Sequence, residues 1–423
     1  MSIPTPPAAT TVTPSTSSTA TANWMSALVV TVLIQTAGAY LSRLVPTLGP
    51  VLTVAAGLSP DAVGYLSSFN TAGSIVFLAA GNPLIARFGP IRALQGGLGI
   101  VALGVLLLIS PTALALYASS LLSGVGYGPS GPAASDVLWR LSPPHRRSLI
   151  FSLKQAGVPL GGVISGVTLP ALVTWMGLGW SLVAVSLIPI AALVIAQPVR
   201  PAIDADRDHG QSVALGHLLS PGNMLAPFRL MRASPMLPRL TLSGIFFACG
   251  QGSLFAFLVT YLNQELGIDL VTSGIIFAMT QLTGIPGRIG LGWLADRMGS
   301  ALPILRFLGA ASAATILAYG LTTPSWSTLS LIVLSALAGV TVASWNGIQL
   351  AEIARAAPKG RVGETTSGAT LVTFIGYIVG PALFGLILAA TSSYRVAFLV
   401  TAALSLAATA SLWRRRSTGD IGA

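Results

Sequence analysis

Twelve stretches of this chain are apolar over about the 20 residues that a helix needs to cross a hydrocarbon core. They fall near 26–53, 60–83, 91–110, 112–139, 147–175, 178–197, 238–263, 270–294, 301–321, 326–352, 364–390 and 394–413. Lipid offers no partner to a bare peptide group, so each stretch must satisfy its own backbone as a helix. Glycine and proline inside these runs fit membrane helices, where neighbours re-satisfy the freed groups. Only 8% of the 423 residues are charged, and 53% are hydrophobic. A soluble domain carries about 25% charged residues, and a chain this poor in charge would aggregate in water. The expected fold is an all-α integral membrane protein with twelve transmembrane helices.

The charges that do occur set an orientation. With the N-terminus in the cytoplasm, the cytoplasmic loops hold Arg87, Arg92, Arg140, Arg146, Arg147, Arg200 through Arg239, Arg297, Arg306, Arg355, Lys359 and Arg361. The opposite side holds Asp61, Glu265, Asp269 and a single basic residue, Arg395. The positive-inside rule then puts both termini in the cytoplasm of a multi-pass protein of an inner or plasma membrane. The net charge of +11 does not mark a nucleic-acid partner, because the basic residues are scattered through short loops rather than gathered in a patch. Cys249 is the single cysteine, so an internal disulfide is excluded.

Residues 1–23 are rich in Thr, Ser, Ala and Pro and carry no charged side chain. They read as a disordered cytoplasmic tail, without the basic and apolar regions of a signal peptide. Residues 198–237, with "RPAIDADRDHGQ", are too polar to span and too long for a tight turn. They divide an N-terminal six-helix bundle (24–197) from a C-terminal one (238–413) as a cytoplasmic linker, and 414–423 form a second cytoplasmic tail.

The two halves repeat each other. "NPLIARFG" at 82–89 corresponds to "GWLADRMG" at 292–299, with the final glycines 210 residues apart. "GVGYGPSGPAASDVLWRLSPPHRR" at 124–147 corresponds to "GVTVASWNGIQLAEIARAAPKGRV" at 339–362. Gly124 and Gly339, Arg140 and Arg355, Pro143 and Pro358, and Arg146 and Arg361 all share one offset, 215. The chain is a tandem duplication of a six-helix unit, which implies two pseudo-symmetric bundles.

Over about 26–413 the sequence resembles the major facilitator superfamily. That family's loop signature, G-x-L-a-D-R-x-G, is matched by "GWLADRMG". The first copy keeps only Leu84, Ala86-Arg87 and Gly89, with Ala86 in place of the acid and Asn82 in place of the first glycine. "GVPLGG" at 157–162 and "GYIVGPALFG" at 376–385 look like the family's Gly-Pro motif. The resemblance implies a transporter, not an enzyme, that works by alternating access. It also implies gating roles for Arg87, Asp296 and Arg297, which latch helix ends in one conformation and release them in another. These residues otherwise set topology and cap helices. The loss of the acid at Ala86 predicts a weaker latch in the N-terminal half.

Ionisable groups at membrane depth are expensive and mark function. Arg43 lies in the first run, about 25 Å of helix from Ser26. It reads as a cavity cation for an anionic group, the alternative being an arginine snorkelling to the interface. Thr36, Tyr40, Arg43 and Thr47 share a helical face and predict a polar wall. Lys154 stands two turns into the fifth run, on a face with Val158, Gly161 and Ser165, either in contact with substrate or paired with Asp136. Asp136 is the acid inside a span of the N-terminal half and the candidate proton-coupling residue. The C-terminal half is expected to give polar and aromatic groups without deep charge: Gln251, Trp345, Asn346 and Tyr377, each a cavity contact or an interhelical hydrogen bond.

Cations without a central carboxylate favour a small anionic substrate, a carboxylate above all. No "GxxxxGK[ST]" motif is present, so an ion or exchange gradient must drive transport, with protons as the candidate ion. The expected protein is a monomeric secondary transporter, symporter or antiporter, with a site near the bilayer midplane and no cofactor or metal. A proton-coupled multidrug exporter is the first rival, opposed by the missing central acid. A non-transporting membrane sensor of the same fold is the second, and it would call for an added signalling domain. A membrane enzyme would need histidine clusters or paired carboxylates that the spans lack.

Overall fold

A computed structural model describes residues 23–143, 146–214, 234–358 and 361–413, with the side chains of 147–149 and 363–364 left out. Residues 1–22 and 414–423, the greater part of the linker (215–233) and Lys359 lie outside the described residues. The described residues contain helices and no strand. Ten helices are long and apolar enough to cross a membrane. One helical stretch, Arg147–Ala196, has 50 residues. At 1.5 Å per residue it would run about 75 Å, over twice the ≈ 30 Å hydrocarbon core. It turns at Gly177, where φ is 79° and ψ is 164°, a conformation open to glycine and costly to other residues. The stretch is therefore the fifth and sixth spans. The fourth span consists of Ala113–Tyr127, the single turn Gly128–Ser130 and Pro132–Leu141, and neither long piece crosses alone. With these two accounted for, the helical segments match the twelve apolar runs.

Breaks within spans recur at corresponding places. The tenth span is interrupted between Thr328–Thr341 and Asn346–Ala356, and the offset of 215 carries the break at 128–131 onto 343–346. The first span stops at Ser42 and restarts at Leu44, with Arg43 between. Pro46 explains that break: its missing N–H leaves the Ser42 carbonyl without a helical donor.

Each half packs as a bundle. In the first, the first span runs along the fifth, and the fourth lies between the second and third. In the second, the seventh span (Met236–Thr260) runs along the eleventh (Val362–Thr391), and the ninth (Leu302–Gly320) along the twelfth (Tyr394–Ser411). The bundles meet through the fifth span on the eighth (Leu270–Met298) and the second (Ala62–Ala80) on the eleventh. Glycines make this contact close. A Cβ at Gly166 would stand 2.6 Å from the Gly274 carbonyl oxygen, and one at Gly385 would stand 2.6 Å from that of Asp61. The contacts of Gly385 with Asp61 and of Gly49 with Thr260 lie toward the face opposite the termini, where Val63 also joins the core of the second bundle. At the face that bears the termini, Pro132–Leu141 and Asn346–Ala356 pack chiefly within their own bundles.

Candidate functional site

The spans leave a cavity of ≈ 120 Å³ between the bundles. The break at 43 brings Arg43 to its wall, together with Gln251 and Phe255 of the seventh span and Tyr377 of the eleventh. The Arg43 guanidinium lies over the Phe255 ring, 5.1 Å from its centroid, a cation–π contact across the two bundles. Its Nε is buried without a partner among the described residues. An arginine snorkelling to an interface would have its head in water, so the geometry favours the cavity reading.

The C-terminal polar residues form one network rather than four separate contacts. Trp345 Nε1 donates to Gln251 Oε1 at 3.0 Å, Tyr377 Oη donates to the same oxygen at 2.7 Å, and Asn346 Nδ2 donates to Tyr377 Oη at 3.1 Å. Trp345 is 1% exposed and stacks on Phe247, so it holds Gln251 in place without lining the cavity itself. With Oε1 doubly occupied, the Gln251 Nε2 has no partner among the described residues.

One expectation fails here: the C-terminal half does carry a deep charge. Arg288 stands on the eighth span, and its Nε donates to the Ala343 carbonyl at 3.1 Å. Arg43, Arg288, Tyr127 and Tyr377 lie within electrostatic reach of one another, and no Asp or Glu among the described residues faces either arginine or lines the cavity. The Ala343 carbonyl is available because the tenth span is broken there. Unwound backbone accepting from a cation is the arrangement by which a membrane protein holds charge at depth. The sequence signal for Arg288 was its isolation as the sole basic residue before Asp296 in the eighth apolar run.

The expected polar wall of the first span divides. Thr47 Oγ1 bonds Ser165 Oγ at 3.1 Å, and Tyr40, 3% exposed, accepts from Thr168 Oγ1 at 3.1 Å. Both contacts go to the fifth span, because Gly157 and Gly161 let that span approach the first. Tyr40 is an interhelical contact, and of that face Arg43 reaches the cavity.

The expected ion pair between Asp136 and Lys154 is absent. Asp136 meets Arg140 at 3.1 Å, one helical turn on, and Arg140 also reaches Asp206 at 3.6 Å. The i,i+4 partner on the same helix wins because no other element must move to form it. Lys154, 3% exposed, donates to the Gly131 carbonyl at 3.4 Å, at the break of the fourth span, where that oxygen also accepts from the N–H and hydroxyl of Ser135. The glycines that seat the fifth span on the first share its face, so Lys154 is turned into the bundle and away from the cavity.

The loop residues expected to gate do not pair as one set. Asp296 reaches Arg355 at 3.7 Å, and the Arg297 guanidinium lies over Trp293 at 5.5 Å. Arg87 closes the short helix Asn82–Phe88 with no ion pair among the described residues. The buried acid of this half is Glu352. Its Oε1 accepts from Ser300 Oγ at 3.1 Å and from the Ala301 N–H, and it meets Arg355 at 3.0 Å. It thereby caps the ninth span. In the N-terminal half the position matching Glu352 is Val137, and the one matching Asp296 is Ala86. The acid comes instead from the start of the linker. Asp204, 1% exposed, accepts from the N–H groups of Ile91 at 2.9 Å and Arg92 at 3.0 Å and caps the third span, Pro90–Leu107. Burial raises its pKa, against those two hydrogen bonds. Gly89, with φ 92°, leaves the room, since a Cβ there would strike the Asp204 carboxyl.

Comparisons with known proteins fit this geometry. The family model described as Major Facilitator Superfamily matches residues 22–367. An uncharacterised MFS-type transporter of Mycobacterium tuberculosis is 24% identical over 85% of this chain and 78% of its own length. Monocarboxylate transporter 13 of Bos taurus is 26% identical over 84% of this chain and 80% of its own. A solved bacterial homologue of the human lysosomal transporter Spinster, inward-facing and unoccupied, superposes with a TM-score of 0.73 over 92% of this chain and 96% of that one, at 16% identity.

Proposed function

The chain belongs to the major facilitator superfamily, and from that premise we propose that it is a secondary transporter of a small organic anion. The family and its relatives are transporters, not enzymes. The observation that carries the anion reading is Arg43, at the cavity between the bundles, with a second arginine in electrostatic reach and, among the described residues, no acid facing either. Two like charges near one cavity leave a deficit that an entering carboxylate fills, and a guanidinium offers it a paired set of donors. That one relative is a monocarboxylate transporter supports the same class.

Transport runs by rocking one bundle against the other. The basic face is cytoplasmic by the positive-inside rule, so the bundles in this conformation are closed toward the outside. Asp296 with Arg355, Glu352 and Asp204 hold the cytoplasmic helix ends, and Arg87 and Arg297 lie beside them. Driving force comes from a proton gradient or from exchange. Asp136, paired with Arg140 at the surface, takes no part in this version of the coupling.

The test is a thermal-shift screen of the purified protein against short carboxylates, inorganic anions and cationic drugs, because a ligand of the folded form raises its melting temperature. Carboxylates should stabilise the wild type and leave Arg43→Gln unmoved. Stabilisation by cationic drugs alone would overturn the anion reading in favour of a drug exporter.

A further inference from the structure

We propose that the transported anion is a short hydroxy acid of three or four carbons. This rests on the anion reading and narrows its substrate class. The cavity is also lined by the second and fourth spans. There it meets Ser67, Asn70 and Thr71 on one and Ser119, Ser120 and Ser123 on the other. Residues 67, 70 and 71 stand at i, i+3 and i+4, one face of a helix. Val105 and Leu108 of the third span line it as well.

Hydroxyls in a membrane helix ordinarily bond a carbonyl one turn back, as Ser68 and Thr71 do here. The cavity serines depart from that rule. Ser120 is 1% exposed, and its Oγ has no hydrogen-bond partner among the described residues; the buried Oγ of Ser67 has none either. Asn70 gives its Nδ2 to the Ser120 carbonyl at 3.3 Å, and its Oδ1 is left without a partner among the described residues. The cavity wall thus carries a cation together with unpaired groups that both donate and accept.

Such groups are costly when buried unpaired. A ligand hydroxyl satisfies them, and a methylene in the same place does not. A site built to bond a hydroxyl discriminates against the analogue lacking it far more strongly than an apolar pocket rejects an added one. The volume sets the length. At ≈ 120 Å³ the cavity is well below the ≈ 300–1,000 Å³ of ordinary ligand pockets, which suits an acid of few carbons. The carboxylate sits on Arg43 beside the Gln251 Nε2, and the hydroxyls reach Ser67, Asn70 and Ser120.

The experiment compares glycerate, propionate and glycerol as ligands of the full-length protein, by thermal shift and by isothermal titration. Glycerate should bind at least about tenfold tighter than propionate, on the order of one hydrogen bond or more, and glycerol should not bind. Ser120→Ala and Asn70→Ala, each checked for an unchanged melting temperature without ligand, should shrink the glycerate-to-propionate ratio toward one. Equal affinity for the two acids would overturn the hydroxy-acid inference and leave the anion reading standing. Glycerol binding as tightly as glycerate would overturn the anion reading instead. Failure of both acids to bind would overturn both.

Discussion

Alanine at Gly385 should tilt the protein out of the conformation described here. The glycine sits near the end of the eleventh span, in the other bundle from Asp61. A Cβ there would lie 2.6 Å from the Asp61 carbonyl oxygen, and real Cβ contacts essentially never fall under 3.0 Å. The bundles must part by at least about 0.4 Å at this point, or strain the backbone of Asp61 or Gly385. Overpacking of a closed interface typically costs about 1–3 kcal/mol. The cost falls on the state in which the bundles touch on this face, and it vanishes when they separate. The ratio of the two states should therefore shift by about 5- to 150-fold, with the fold of each bundle untouched.

The shift can be read as a distance. Ser59 and Thr391 are exposed at the two sides of this contact, and the native Cys249 is 2% exposed. Spin labels on cysteines at 59 and 391 should show a short distance in the parent and a growing long-distance population in Gly385→Ala, by double electron–electron resonance. Gly99→Ala serves as the control, since nothing lies within 4 Å of the added Cβ. An unchanged distance distribution in Gly385→Ala, with a lowered melting temperature, would refute the reasoning: the glycine would then serve bundle folding and not the closing of this face.

Four further outcomes are expected. Asp204→Ala removes both side-chain acceptors from the first turn of the third span and should lower stability by about 0.5–2 kcal/mol, the usual worth of a cap, measured by denaturation in detergent. Burial holds the Asp204 carboxyl above the ordinary carboxylate range, so the folded protein takes up this proton at a higher pH than the unfolded chain. Its contribution to stability then rises as pH falls through the folded pKa toward the unfolded value, and Asp204→Asn should flatten that part of the profile. Trp345→Phe keeps the stacking on Phe247 but deletes one of the two donors to Gln251; at about 0.5–1.5 kcal/mol for a hydrogen bond, carboxylate affinity should fall a few-fold in titration while the fold persists. Asp136→Asn breaks a surface pair worth about 0–1 kcal/mol, so anion uptake into proteoliposomes should respond to an imposed pH gradient as the wild type does, and a lost response would restore Asp136 to the coupling step.

The apolar runs were legible because lipid permits so few alternatives: a run of the right length must be a helix, whatever it packs on. Arg43 was legible for the same reason, as a charge where charge is expensive. Side-chain partners were not, because they depend on which face each span turns to its neighbour. Gly157 and Gly161 decide that Tyr40 and Lys154 serve the packing of the first and fifth spans, and spacing along one helix does not show which other helix will arrive. The N-terminal acid was obscured for a further reason. Val137 and Ala86 removed it from both positions that the repeat marks, and Asp204 restored it from a segment outside the repeat.

Arg288 lay closer to reach. "GYGPSGP" at 126–132 breaks the fourth span with its own proline and glycines, and the offset of 215 carries that break to "TVASWNG" at 341–347, which has no proline. The duplication thus points to freed carbonyls in a stretch whose composition does not announce them. At each break a cation of the same bundle donates to a carbonyl: Lys154 to Gly131, which Ser135 also bonds, and Arg288 to Ala343. Arg288 is therefore tied to the second bundle and moves with it, whereas Arg43 moves with the first. In the proposed rocking the distance between these two charges changes, so the field at the cavity would depend on the conformation. On that proposal an anion held between them would couple its own binding to the position of the bundles, because it would relieve their repulsion most where they stand closest.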